Sequence, residues 1–154
     1  MKTFTRVAAM ALLAVQAAHT NPQAANPQAA NPQAVMQLHI ADASVAAAAA
    51  GASTPLRALL QNPTSTTLQL VGASTPLAAQ TQLQTYVTNA QGLVHIQRLP
   101  QLALPAAGQV VLVPGVLELQ LIGLKTDLQP GLELPLTLKF DDGTTRTVRI
   151  KITN

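Results

Sequence analysis

From Val35 to the end of the chain, apolar and polar residues alternate in short stretches broken by Pro and Gly, which leaves little but short β-strands to build with. Leu38 and Ile40 alternate with Gln37 and His39, and the pattern stops at Ala41, Asp42 and Ala43. Residues 67–71 (TLQLV), 81–87 (TQLQTYV), 93–99 (LVHIQRL), 110–113 and 117–121 (LELQL) continue the series. Residues 134–140 (LPLTLKF) and 145–152 (TRTVRIKI) read as a closing hairpin around Asp141, Asp142 and Gly143. Residues 56–61 fit either a strand or one helical turn. The Ala run at 46–50 suits a helix by propensity, but Gly51 and Pro55 leave it little room. Seven to nine short strands without a convincing helix predict an all-β fold, a single antiparallel Greek-key β-sandwich. The hexapeptide GASTPL occurs at Gly51 and again at Gly72, and its two copies read as shared turn chemistry.

A chain of 154 residues is enough for one domain with a core of its own. With no Cys, no Trp, two Phe and one Tyr, that core must be built from Leu, Val, Ile and Ala. The absence of Cys also removes disulfides and thiolate metal sites. The formal charge of +3 includes Lys2 and Arg6; without those two, the nine basic residues fall to seven, against six acidic ones. A near-neutral chain with so few aromatics has neither the charge nor the stacking surface that nucleic-acid binding requires.

The N-terminal region is not part of the strand pattern. Lys2 and Arg6 precede a nine-residue apolar stretch (VAAMALLAV, 7–15), and small residues follow at a cleavage position, so residues 1–17 read as a signal peptide. Nine apolar residues are too few for a membrane span. Export to the periplasm or the medium follows, and without a Cys after the apolar stretch lipid anchoring is excluded. Residues 18–34 hold the repeat NPQAA-NPQAA-NPQA, in which recurrent Pro and the lack of large apolar residues predict a disordered spacer. The folded domain is expected over 35–154, as a monomer.

Catalysis finds no support: there is no nucleophile elbow, no His-Glu-x-x-His and no phosphate loop. The adjacent Asp141 and Asp142 precede a Gly between two strands and read as turn chemistry. His95 stands mid-strand with Gln97 two residues on, as a solvated strand residue or, less often, a ligand. Met36 and His39 are three apart, so on a strand they would face opposite sides and could not chelate together. Arg149 and Lys151 alternate with Val148, Ile150 and Ile152 and read as a solvated face. His19, close to the cleavage position, is either a residue of the tail or part of an amino-terminal Cu(II) chelate.

From Ile40 onward the chain resembles the PCuAC-type periplasmic copper chaperones, small cupredoxin-like β-sandwiches. The resembling stretches are IADA from Ile40, LVGASTP from Leu70, LPAAG from Leu104, PG at Pro114 running to LIGLK from Leu121, LQPG from Leu128, and PLTLKF from Pro135. Family members carry Cu(I) on a Leu-His step, a Met-x-Met-Arg strand and a His-x-Met pair. Soft thioether and imidazole donors suit that ion. Carried over, the Leu-His step is Leu83-Gln84, the Met strand is His95 to Arg98, and the His-x-Met pair is Glu118-Leu119-Gln120. The resemblance therefore implies Gln84, Gln97, Glu118 and Gln120 at ligand positions, with His95 beside them as a substitute donor for a weak copper site. It implies a copper chaperone-like protein with lost or much weakened Cu(I) binding, and an envelope copper protein as partner. The alternative is a secreted non-metal β-sandwich that serves as a protein-interaction module.

Overall fold

The computed structural model describes residues 32–154. The signal peptide and nearly all of the expected spacer lie outside them. A short helix, α1 (Pro32–Gln37), precedes ten strands: β1 (His39–Ala46), β2 (Thr54–Asn62), β3 (Leu68–Ser74), β4 (Ala78–Thr88), β5 (Val94–Arg98), β6 (Leu102–Leu104), β7 (Gly108–Leu112), β8 (Leu117–Leu124), β9 (Glu133–Phe140) and β10 (Thr145–Thr153). The hydrogen-bonded order is β5-β4-β8-β2-β1-β10-β9-β3-β6, with β7 also on β2. The ladder folds over on itself as a β-sandwich. Leu56, Ala58 and Leu60 of β2, Leu112 of β7 and Leu119 of β8 meet Leu70 of β3, Leu136 and Leu138 of β9 and Ile150 of β10 around one small apolar void. The core is aliphatic apart from Phe140, as the composition requires.

The strand β2 joins the layers. Its first residues pair with β8 (Thr54↔Leu121, Leu56↔Leu119), and its last five pair with β7 (Ala58↔Leu112 to Asn62↔Gly108). Every pair is antiparallel except β1 with β10, where Ser44 to Ala46 run parallel to Lys151 to Thr153. The first and last strands are thus neighbours at the centre of the ladder.

The alternation that stops at Ala41 to Ala43 marks a bulge rather than the end of β1. The register on β2 shifts between Ala41 and Ser44, and Asp42 takes a φ of 49°, a conformation that Asp tolerates better than most residues. Residues 56–61 are strand, and β6 is a strand that the sequence pattern does not reveal, only three residues long. The closing hairpin is present, with Asp142 Oδ1 accepting from the backbone N–H and the hydroxyl of Thr144 at 2.9 and 2.6 Å, and Gly143 at a φ of 82°. The two GASTPL copies differ in structure. The first turns at Gly51 and enters β2 at Thr54, whereas the second leaves β3 at Ser74 and turns at Thr75, whose hydroxyl accepts from the N–H of Leu77. Shared composition here is not shared geometry.

The described chain begins on a helix instead of the strand expected from Val35, and it takes in the last three residues of the repeat. Pro32 opens α1, where its missing N–H costs nothing. Ala34, Val35 and Leu38 are buried in the core. The guanidinium of Arg146 donates to the carbonyls of Val35 at 3.0 Å, of Met36 at 3.2 Å, and of Leu38. Carbonyls at a helix end lack partners within the helix, so one cation here fastens the N-terminal segment to β10.

Candidate functional site

Strands β4 and β8 pair so that Gln84 lies opposite Glu118 and Gln82 opposite Gln120. Leu83, Leu119 and Leu121 of the same strands face the core, so alternation sends the polar set to the other side of the sheet. Gln84 and Glu118 are nevertheless buried, at 5% and 2% exposed. Part of the cover comes from the turn between β7 and β8. Pro114 fixes its second position and Gly115, at a φ of 82°, its third, and the Val116 N–H closes it on the Val113 carbonyl at 3.0 Å. That turn aims the Gly115 N–H at Glu118.

The result is a carboxylate surrounded by donors. Glu118 Oε1 accepts from Gln84 Nε2 at 2.6 Å and from the Tyr86 hydroxyl at 2.9 Å, and Oε2 accepts from the Gly115 N–H at 2.9 Å. Gln82 Nε2 in turn donates to Gln84 Oε1 at 3.1 Å. An ionised carboxylate only accepts hydrogen bonds, and here both oxygens are taken. Tyr86 responds to the arrangement. Its bond to Glu118, then burial, then the negative charge of Glu118 raise its hydroxyl pKa above the usual 10.0. Gln120 carries the one loose end of the cluster, a buried Oε1 with no hydrogen-bond partner.

Of the five residues singled out in the sequence, the structure brings together Gln84, Glu118 and Gln120. It separates His95 and Gln97 from them. On β5, Gln97 lies beside Thr85 and His95 beside Val87, whereas Arg98 lies beside Gln84 and Ile96 beside Tyr86. A strand alternates faces residue by residue, so His95 and Gln97 point away from Glu118, and both are exposed. The residues of β5 on the cluster's face are Val94, Ile96 and Arg98, with Arg98 opposite Gln84 and Ile96 opposite Tyr86. A weak site combining His95 with Glu118 and Gln120 therefore has no geometry to support it. Tyr86 and Gly115 were missed, although Tyr86 is two residues from Gln84 on a readable strand and so had to share its face. Met36 and His39 fall on α1 and at the exposed start of β1, away from this cluster. His19 lies outside the described residues.

The donors at the positions implied for copper are amide and carboxylate oxygens, and Cu(I) selects softer ones. A cation at Glu118 would also have to displace three N–H or O–H groups whose positive ends already point at it. The residues present do not fit Cu(I). Among the described residues no three of His, Cys, Asp and Glu come together.

A family model described as "Putative lipoprotein LpqE-like" matches residues 13–152. The chain belongs to the LpqE-like family. A relative from Leifsonia xyli subsp. xyli, named "Putative lipoprotein Lxx21020", is 30% identical over 93 residues, which cover 60% of this chain and 56% of that protein. The match thus spans little more than half of the relative's length. Among solved structures, apo-DR1885 from Deinococcus radiodurans is 29% identical with a TM-score of 0.58, covering 100% of this chain and 94% of that one. Its Cu(I) form is 30% identical with a TM-score of 0.59, covering 78% and 83%. The copper-bound PCuAC domain from PmoF2, 19% identical, has a TM-score of 0.62 and covers 75% and 92%, a likeness of fold. By structure this LpqE-like chain has the fold of PCuAC domains, as the resemblance implied. Its family is described as lipoproteins, which are exported proteins, but these 154 residues contain no Cys to carry a lipid. No helix among the described residues is long and apolar enough to cross a membrane.

Proposed function

We propose that this chain is an exported copper-chaperone-like protein, periplasmic or secreted, whose own Cu(I) binding is lost or much weakened. It acts through contacts with other envelope proteins, a copper protein among them by descent, and not as an enzyme. The fold and family supply the chaperone character. The leader read at residues 1–17 supports export. The observation that carries the loss of binding is that both oxygens of Glu118 are committed to Gln84, Tyr86 and Gly115.

The test is a Cu(I) titration of the purified protein against a competing chelator. The expected result is no binding tighter than about 1 μM. Sub-micromolar binding would overturn the reading and require a ligand set outside this cluster. The same titration on a Gln84→His, Glu118→His, Gln120→Met variant sharpens the result, because soft donors then return to three positions on one face. Cu(I) affinity should rise at least about 100-fold. The second reading, a non-metal interaction module, is favoured by the exposed Val94, Ile96 and Val116 on the cluster's side of the sheet.

A further inference from the structure

Far from the Glu118 cluster, an open groove of about 1030 Å³ lies on the outer face of five neighbouring strands, β7-β2-β1-β10-β9. The register fixes which side chains meet there. Ser44 of β1 lies opposite Arg57 of β2 on one side and beside Lys151 of β10 on the other, and Lys151 in turn faces Glu133 of β9. All four line the groove. Strands about 4.8 Å apart put the Arg57 and Lys151 backbones about 10 Å from each other, with Ser44 between them. On the β7 side, Leu59 pairs with Val111, and Val113 joins them to give the groove an apolar wall.

The charges in this lining are not matched in place. Glu133 lies 3.6 Å from Arg149 and is taken by it. Arg57 and Lys151 have no side-chain hydrogen bond or ion pair among the described residues, and Asp42, at the bulge, is the one other acid of the lining. The rest of the chain has no acid to offer them. Residues 1–31 contain neither Asp nor Glu. Glu118 is committed to its own donors, and Asp127 accepts from the Ala50 N–H at 2.8 Å. Asp141 and Asp142 sit in the turn at the far end of the β9–β10 hairpin, about 26 Å along the strand from Glu133.

We propose that this groove binds a small anionic amphiphile, with a phosphate or carboxylate head on Arg57, Lys151 and Ser44 and an apolar body on Leu59, Val111 and Val113. The guanidinium offers a fork of N–H donors, the ammonium a point charge and the hydroxyl a further donor, which together suit an oxyanion. A bare ion would leave most of the groove empty, whereas its volume is that of a small-molecule site. The ligand is a free molecule and not a bilayer surface, because a flat anionic membrane would press its charge on Asp42 and Glu133 as well.

Titration of the purified protein with octyl phosphate, kept below its micellar concentration and followed by amide shifts in NMR spectra, tests this. Shifts should concentrate at Ser44, Arg57, Leu59, Val111 and Lys151 and saturate with a Kd of about 1 mM or tighter. Inorganic phosphate supplies the head alone and octyl glucoside the tail alone, and each should bind at least about tenfold more weakly. Arg57→Gln combined with Lys151→Gln should weaken octyl phosphate by at least about tenfold. Both side chains are exposed, so circular dichroism and the urea midpoint of that variant should stay at the wild-type values. Lys139→Gln, at an exposed cation of β9 outside the groove, should bind as the wild type does. The proposal is overturned by the absence of saturable shifts, by octyl glucoside binding as well as octyl phosphate, or by unchanged binding in the double variant. Sedimentation with phosphatidylglycerol vesicles without any response to free octyl phosphate also overturns it, since these cations would then serve a surface and not a molecule.

Discussion

Asn62, at the end of β2, and Glu118, near the start of β8, are both polar and almost wholly buried, yet they are satisfied by opposite means. The Asn62 amide donates to the carbonyls of Thr66, Leu104 and Pro105 at 2.8, 3.0 and 3.1 Å, while its oxygen accepts from the N–H and hydroxyl of Thr64. A neutral group that both gives and takes ties β2 to the β2–β3 loop and to the end of β6. Glu118 only takes, so everything around it gives. The first arrangement serves backbone groups and is a device of the fold. The second consumes two side chains and one turn for a single carboxylate, at a position where the family resemblance puts a copper ligand. It fills the position with polar contacts that satisfy themselves, and it does so with dipoles turned the wrong way for a cation.

The largest effect should come from breaking the first arrangement by changing donors into acceptors. Asn62→Asp keeps the shape but removes the donor and sets a carboxylate against three carbonyl oxygens, at a cost of about 3–4 kcal/mol. The drop in urea midpoint at constant slope measures it. A cost under about 1 kcal/mol would mean that those carbonyls have other partners and that the hub is incidental. Glu118→Gln is the mirror experiment. It keeps one acceptor oxygen but turns an N–H toward groups that are themselves donors and removes the charge from the remaining bonds, costing about 2 kcal/mol. If Glu118→Gln proves the more damaging of the two, the cluster and not the Asn62 hub is the main polar support of the sandwich.

Most of the strands were legible in the sequence because period-two patterning over a one-sided core leaves few alternatives. Thr145 to Thr153 shows this best, with Ile150 and Ile152 buried and Arg149 and Lys151 exposed as the alternation demands. The bulge at Asp42 was not legible, since a broken pattern looks the same whether the strand ends or takes an extra residue. The α1 helix was hidden for a different reason. Six residues carry too little periodicity, and what holds them is Arg146, more than a hundred positions away. In the candidate site, the shared face of Glu118 and Gln120 followed from spacing within a strand. Their meeting with Gln84 was implied by the family resemblance and rests on the register of β4 on β8. The placement of His95 and Gln97 followed from neither, because it depends on the register between β4 and β5. A one-residue error of frame turns a whole strand to the other face.

A smaller effect separates the hydroxyl of Tyr86 from the rest of the cluster. Tyr86→Phe removes one donor to Glu118 and should cost about 1 kcal/mol at neutral pH. The cost should also depend on pH in a definite direction. The folded-state pKa of this hydroxyl is raised, chiefly by its bond to Glu118, so folding favours the protonated form. Its contribution is complete below the ordinary value of 10.0 and is lost as pH rises through the folded value. Urea midpoints from pH 8 to 11.5 should therefore show the wild type falling toward the variant on the alkaline side. Parallel curves would mean that the hydroxyl is not bonded to Glu118 in solution.

The smallest effect is expected at His95. It is exposed on β5 and lies beside Val87 on the face turned away from Glu118. His95→Ala should leave stability within about 0.5 kcal/mol of the wild type, and the Cu(I) titration should be unchanged by it. The substitution still discriminates. If the protein has a weak Cu(II) affinity and His95→Ala abolishes it, the imidazole must work without Glu118 and Gln120, because strand alternation keeps them on opposite faces. The residues implied by the family resemblance would then divide into two regions of different chemistry. One would be a closed cluster whose oxygen acceptors are already taken and suit no soft ion, and the other an exposed imidazole on β5.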